Sequence, residues 1–139
     1  MIPNAWVATG FKAGDGKDLV TKQQGIASVK ITGKVGVTKT LTQTIQLSGG
    51  AGDLFTFSYW SKDLAVPKGS GKCRAEVLLF NGSTQVFAKI VDCVTGNSSF
   101  KKRTLSFVNP TSPYTVVVIK FIYTKPYGTI WFDGISLIR

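Results

Sequence analysis

Apolar and polar residues alternate at a period of two from one end of the chain to the other, and no stretch sustains a helical period. Nine segments read as strands: Trp6–Ala8, Ile26–Thr32, Lys39–Leu47, Leu54–Lys62, Cys73–Phe80, Gln85–Val94, Phe100–Phe107, Tyr114–Tyr123 and Thr129–Ile138. Turn-rich pieces separate them, among them Ala13-Gly14-Asp15-Gly16, Ser48 to Asp53, Pro67 to Gly71, and Asn109 to Pro113. In the third segment Leu41, Ile45 and Leu47 share the core face. In the fourth, Phe55, Phe57 and Tyr59 face the core, while Thr56, Ser58 and Trp60 face away. Val116-Val117-Val118-Ile119 is apolar on both faces, which predicts a central strand covered on both sides. Many short strands at this spacing predict an all-β, jelly-roll β-sandwich of two antiparallel sheets.

The hairpin around Asn81-Gly82-Ser83-Thr84 is the most informative segment. With a three-residue loop from Gly82 to Thr84, Asn81 faces Gln85, Phe80 faces Val86, Arg74 faces Asp92 and Cys73 faces Cys93. A slip of one residue destroys both the charge pair and the cysteine pair. The register therefore predicts a cross-strand disulfide, Cys73–Cys93, with two buried free thiols as the alternative. A disulfide implies an oxidising compartment.

Length and composition fit a single domain over residues 1–139: 43% of residues are hydrophobic and 17% charged. The longest apolar run is far too short for a membrane helix, which takes about 20 residues. No signal-peptide pattern opens the chain, so an export signal is expected to lie outside it. The net charge of +10 favours anionic polymers as partners. The lysines are dispersed and only Lys101-Lys102-Arg103 is a tight cluster, so specific nucleic-acid binding is not expected.

Three stretches carry a family resemblance: Gly25 to Gly33, Lys39 to Lys62, and Gly128-Thr129-Ile130-Trp131-Phe132-Asp133-Gly134-Ile135-Ser136-Leu137. In this order they resemble carbohydrate-binding modules of the galactose-binding-like jelly-roll class, most closely those embedded in large bacterial surface and YD-repeat (RHS-type) proteins. Trp6 and the Gly-Asp-Gly turn at Asp15 belong to the same likeness. The resemblance implies the fold, a glycan or cell-wall polysaccharide as partner, and further domains in a parent protein. It also implies a candidate structural calcium at Asp133. The N-terminal glutamate that usually shares that site is missing, leaving Asp15 or Asp18 as the substitute. Hydrogen bonds from Asp133 to a turn are the simpler role.

The inventory excludes the common catalytic arrangements. There is no histidine, and Glu76 is the only glutamate. Triads built on histidine are thereby excluded, and zinc sites are poorly supplied. Glycosidase chemistry needs two carboxylates flanking the scissile bond, and a salt-bridged cluster of Arg74, Glu76 and Asp92 accounts for these acids more simply. A non-enzymatic binding module is therefore expected. Sugars stack on aromatic rings and hydrogen-bond to planar polar groups. The candidate contacts are Trp60, Tyr127 and Tyr123 with Arg74, Glu76 and Asp92 on an adjacent hairpin, and Trp6 and Trp131 beside them. Apart from the candidate calcium, no cofactor is expected. The expected setting is secreted or cell-surface. The rival is a structural spacer or assembly domain of an extracellular protein or filament, with no sugar ligand.

Overall fold

The computed structural model describes residues 5–110 and 112–139. Ten strands form: β1 (Val7–Thr9), β2 (Gly16–Asp18), β3 (Ser28–Thr32), β4 (Lys39–Gly49), β5 (Leu54–Val66), β6 (Cys73–Asn81), β7 (Thr84–Asp92), β8 (Gly96–Val108), β9 (Tyr114–Tyr123) and β10 (Thr129–Ile138). They build two five-stranded sheets, ordered β1-β4-β9-β6-β7 and β2-β3-β10-β5-β8. All pairings are antiparallel. This is the expected jelly-roll sandwich, with ten strands in place of nine. The extra strand is β2, whose Gly-Lys-Asp sequence carries no apolar alternation and reads as part of a turn. Among the described residues no helix is long and apolar enough to cross a membrane.

The two inner faces meet in an aromatic core. Phe55, Phe57 and Tyr59 of β5 and Ile130 and Phe132 of β10 face Val117, Ile119, Phe121 and Tyr123 of β9, together with Leu41, Ala75, Val77 and Leu79. Ile45 and Leu47 pack against this cluster, half-buried. In β10 the alternation changes phase. Ile130 and Phe132 point inward, and so do Ile135 and Leu137, because a bulge falls between Asp133 and Ser136. Gly134 makes this possible with φ of 55°. A side chain there would also run into Gln24 and Trp60.

The hairpin register is the expected one from Arg74↔Asp92 to Leu79↔Phe87, and Cys73 and Cys93 are disulfide-bonded. The tip differs. Asn81 pairs with Thr84 around a two-residue loop, and a shift between Leu79 and Phe80 sets Phe80 opposite Gln85. Gly82, at φ 61°, closes the tighter turn, and the bulge takes up the extra residue. Reducing the disulfide, which spans 20 residues, is expected to cost about 3 kcal/mol of stability. Denaturant titration with and without reductant measures this. A midpoint indifferent to reductant would show that the bridge contributes nothing.

The central-strand expectation for Val116–Ile119 is half right. β9 is the middle strand of its sheet, and Val117 and Ile119 are buried in the core. Val116 and Val118 point the other way and remain partly exposed, because among the described residues no second layer lies over that face.

Candidate functional site

The uncovered face of the β1-β4-β9-β6-β7 sheet can be read row by row from the strand register. The first row runs Thr9, Thr40, Ile122, Arg74, Asp92. The second runs Val7, Thr42, Lys120, Glu76, Ile90. The third is Thr44, Val118, Leu78, Ala88, and the fourth Gln46, Val116, Phe80, Gln85. Three zones result: a margin of hydroxyls and amide on β4, an apolar floor on β9 and β6, and a charged group where Arg74, Glu76 and Lys120 meet. Arg74 Nε donates to Glu76 Oε1 at 3.2 Å. Glu76 is 8% exposed, so this carboxylate sits in the floor and does not wave above it.

Arg74, Glu76 and Asp92 thus share the face on which the sequence put them. Arg74 and Asp92 are register partners, yet the ion pair forms with Glu76 instead. Trp60 is not with them. It belongs to β5 in the opposite sheet, between Asp133 and Lys102, and faces outward on the far side of the sandwich. The chain changes sheets between β5 and β6, so the expected adjacency of Trp60 to the β6–β7 hairpin does not arise. Tyr123 is also corrected. It is 1% exposed, lies in the core and donates its hydroxyl to the Tyr127 carbonyl. Tyr127 itself is 58% exposed in the loop before β10. Trp6 packs on Phe121, with ring centroids 6.0 Å apart. Trp131 is held on the far sheet by its indole N–H to Asp18 Oδ2 at 2.8 Å, with Lys30 and Lys62 over its ring. The Asp18 carboxyl titrates below the usual range, chiefly because the Thr21 backbone N–H donates to it, with help from Trp131.

Three acids are candidates for calcium: Asp133, Asp15 and Asp18. Asp18 accepts the Val20 and Thr21 backbone N–H groups and the Trp131 indole N–H. Asp133 accepts the backbone N–H groups of Gln23, Gln24 and Gly134. Asp15 accepts the Thr32 N–H and ion-pairs with Lys39 Nζ at 2.6 Å. Thr32 pairs with Thr129, four positions from Asp133 along β10, about 13 Å at ordinary strand rise. The carboxylates are already taken up by N–H and ammonium donors, and no cluster of three metal-binding side chains occurs among the described residues. Carboxylates so occupied, and not gathered at one point, do not fit calcium, which takes about six to eight oxygen ligands together.

Two openings flank the core. One, about 120 Å³, lies between edge strands β7 and β8 and is lined by Phe57, Tyr59, Val91, Arg103, Thr104 and Leu105. Burial there pushes the Tyr59 phenol up to about 12. Asp63 is 2% exposed, and its burial raises its carboxyl against the opposing Ser98 hydrogen bond. The other, about 290 Å³, lies at the disulfide end of the first sheet and shares Asp92 with the open face.

Sequence reasoning did not pick out Lys120, Ile122, Val118 or Leu78. The signal was present in Val116-Val117-Val118-Ile119, since a run apolar on both faces in a two-layer sandwich leaves one apolar face uncovered.

No family model matches the chain, and no curated protein does. Solved structures do. The enzymatically active domain of bacteriophage CBA120 tailspike protein 4 superposes at TM-score 0.74 with 18% identity, over 96% of this chain and 19% of that one. The chain thus spans about a fifth of that domain's length. TmCBM61, in complex with β-1,4-galactotriose, superposes at 0.66 with 12% identity, covering 98% of this chain and 89% of the module. The family 11 carbohydrate-binding module from Clostridium thermocellum, in complex with a β-1,3-1,4-mixed-linked tetrasaccharide, gives 0.58 with 14% identity over 98% and 89%. Most of the similar structures are carbohydrate-binding modules, and the chain has their jelly-roll fold.

Proposed function

We propose that the domain is a non-catalytic, extracellular glycan-binding module whose site is the open face of the β1-β4-β9-β6-β7 sheet. The observation that carries this reading is the partly exposed apolar floor of Ile122, Val118 and Phe80, with Leu78 buried at 8% exposure between them, set between the β4 hydroxyls and the Arg74–Glu76–Lys120 group. A sugar ring has apolar C–H faces and a polar rim, so floor and margins match it in order. Arg74 and Lys120 donate to ring hydroxyls, and Glu76, held by Arg74, accepts. The modules of the same fold found with oligosaccharides support the assignment. The absence of histidine and the single glutamate in the sequence support a role without catalysis. The disulfide supports an oxidising setting.

Arg74→Ala is expected to weaken oligosaccharide binding by about tenfold or more, the loss of a hydrogen bond to a charged group. Trp60→Ala on the far sheet is expected to leave binding unchanged. Calorimetric titration with glycans selected on an array measures both. Binding lost in Trp60→Ala and kept in Arg74→Ala would move the site to the other sheet.

One observation favours a structural or assembly role. Leu54 and Val108 are paired neighbours on the outer face of the second sheet, at 56% and 50% exposure, with Ile138 at 64% one strand away. A domain that binds no glycan and self-associates through this patch, with Leu54→Lys dispersing it, would establish that role instead.

A further inference from the structure

Among the described residues two lysine side chains are buried, and their ammonium groups are accommodated differently. Lys39, 2% exposed, ion-pairs with Asp15 at 2.6 Å. Lys125, 4% exposed, donates from Nζ to three carbonyl oxygens: Lys68 at 3.4 Å, Gly69 at 3.2 Å and Gly71 at 3.3 Å. Charge-assisted bonds from an ammonium are normally shorter, about 2.7–2.9 Å. Among the described residues, no carboxylate stands within ion-pairing distance of Lys125. A buried charge is costly without a counter-charge. The carbonyl cage partly solvates the ammonium, and no ion pair among the described residues neutralises it.

The field of this ammonium opens into the 290 Å³ cleft, lined by Lys68, Gly71, Lys72, Cys73, Asp92, Cys93, Thr95 and Lys125. Three lysines face one carboxylate, in a chain with net charge +10. The disulfide forms part of the wall, so one side of the cleft is cross-linked and pre-formed. Its volume lies at the lower edge of small-molecule sites, about 300–1,000 Å³, which suits a single ring or substituent and not a chain. Asp92 belongs both to the cleft and to the first row of the open face, beside Arg74. A polymer lying on that face therefore has the cleft at its end.

We propose that this cleft is an anion subsite: it takes a negatively charged substituent of a glycan, a hexuronic acid carboxylate or a phosphodiester, and Lys68 and Lys72 hold it over the buried Lys125 ammonium. Lysine presents a point charge without the planar fork of arginine, so the cleft selects charge more than shape. The proposal deepens the glycan reading and rests on it only for the polymer that carries the anion.

The test is an NMR titration of the isotopically labelled domain at fixed, physiological ionic strength. The probes are galacturonate, dimethyl phosphate and neutral methyl galactoside, each on the native chain and on a Lys68→Gln/Lys72→Gln variant. Both substituted lysines are exposed, so the fold is expected to stand. Saturable shifts confined to the amides of residues 71–73 and 92–95 are expected with an anion and not with the neutral sugar. They should weaken by about tenfold or more in the variant, about 1.4 kcal/mol. A response to galacturonate alone names the uronate as the source. A response to dimethyl phosphate alone names the phosphodiester, and a response to both shows that charge alone is selected. Shifts that never saturate and spread over all the lysines, or equal binding by the variant, overturn the proposal. Neutral oligosaccharide binding at Arg74 and Glu76 that survives in the variant, with no anion response in the cleft, would overturn this subsite and leave the sheet-face reading intact. Anion binding in the cleft without any oligosaccharide on the face would do the reverse.

Discussion

Asp15→Ala is expected to destabilise the domain by about 3–5 kcal/mol, the usual cost of removing one partner from a buried ion pair. The Asp15 and Lys39 side chains are 1% and 3% exposed, so the charge left behind is largely cut off from solvent. Asp15 does more than neutralise Lys39. Its Oδ1 accepts the Thr32 N–H, its Oδ2 accepts the Lys12 N–H, and Lys39 Nζ also donates to the Thr32 carbonyl. The substitution therefore unties the segment before β2 from both β3 and β4. For a chain of this length the loss lowers Tm by about 10–20 °C. Removing the ammonium as well, in Asp15→Ala/Lys39→Met, should recover part of the loss, because no bare charge then remains buried. Thermal unfolding of the two variants measures both effects. A drop in Tm of only a degree or two for the single variant, or a double variant less stable than Asp15→Ala, would show that the pair carries no such charge burden.

Phe121→Ala is expected to cost a similar amount, about 3–5 kcal/mol, through a cavity and not a charge. Phe121 is fully buried and joins the two sheets. From β9 it reaches Phe132 at a centroid distance of 4.1 Å, Tyr59 at 5.4 Å and Phe57 at 6.5 Å in the opposite sheet, and Trp6 at 6.0 Å beside β1. Rings held from four sides on stiff strands cannot close over the void, so the cavity term is retained. Phe121→Leu keeps most of the volume and should cost less, about 1.5 kcal/mol. Equilibrium denaturation with urea gives both values. Equal losses for alanine and leucine would mean that ring geometry matters here and volume does not.

Much of the architecture was legible from alternation alone. Phe55, Phe57 and Tyr59 read as inward and Trp60 as outward, and so they lie, because each β5 residue has a core on one side only. Two of the ten strands, β9 and β10, run between the very residues expected, since both are long and strongly patterned. The hairpin register was legible because charge, cysteine and turn chemistry all constrained the same pairing. β2 was not, since three residues of Gly-Lys-Asp on an edge carry no period.

The candidate site was legible in part. Arg74, Glu76 and Asp92 were grouped correctly because they belong to one hairpin, whose pairing is local. Trp60 was grouped with them wrongly, because which sheet β5 joins depends on a crossover through Pro67 to Lys72 that encodes a turn and not a destination. Tyr123 and Tyr127 look alike in the sequence; one is sealed in the core and the other lies open in a loop. The buried lysines were invisible, since a lysine at a strand end reads as solvent-exposed until a carboxylate or a ring of carbonyls arrives from elsewhere in the chain.

By itself, then, the sequence determined the all-β class, the inward set of each long strand, the disulfide register and a net positive charge. These follow from period, local pairing and composition, which act within a strand or a hairpin. Only the tertiary structure decided which strands share a sheet, which apolar face stays uncovered, and where Asp15 meets Lys39 while Lys125, among the described residues, forms no ion pair. Those outcomes depend on contacts between residues far apart in the chain, and no local pattern records them.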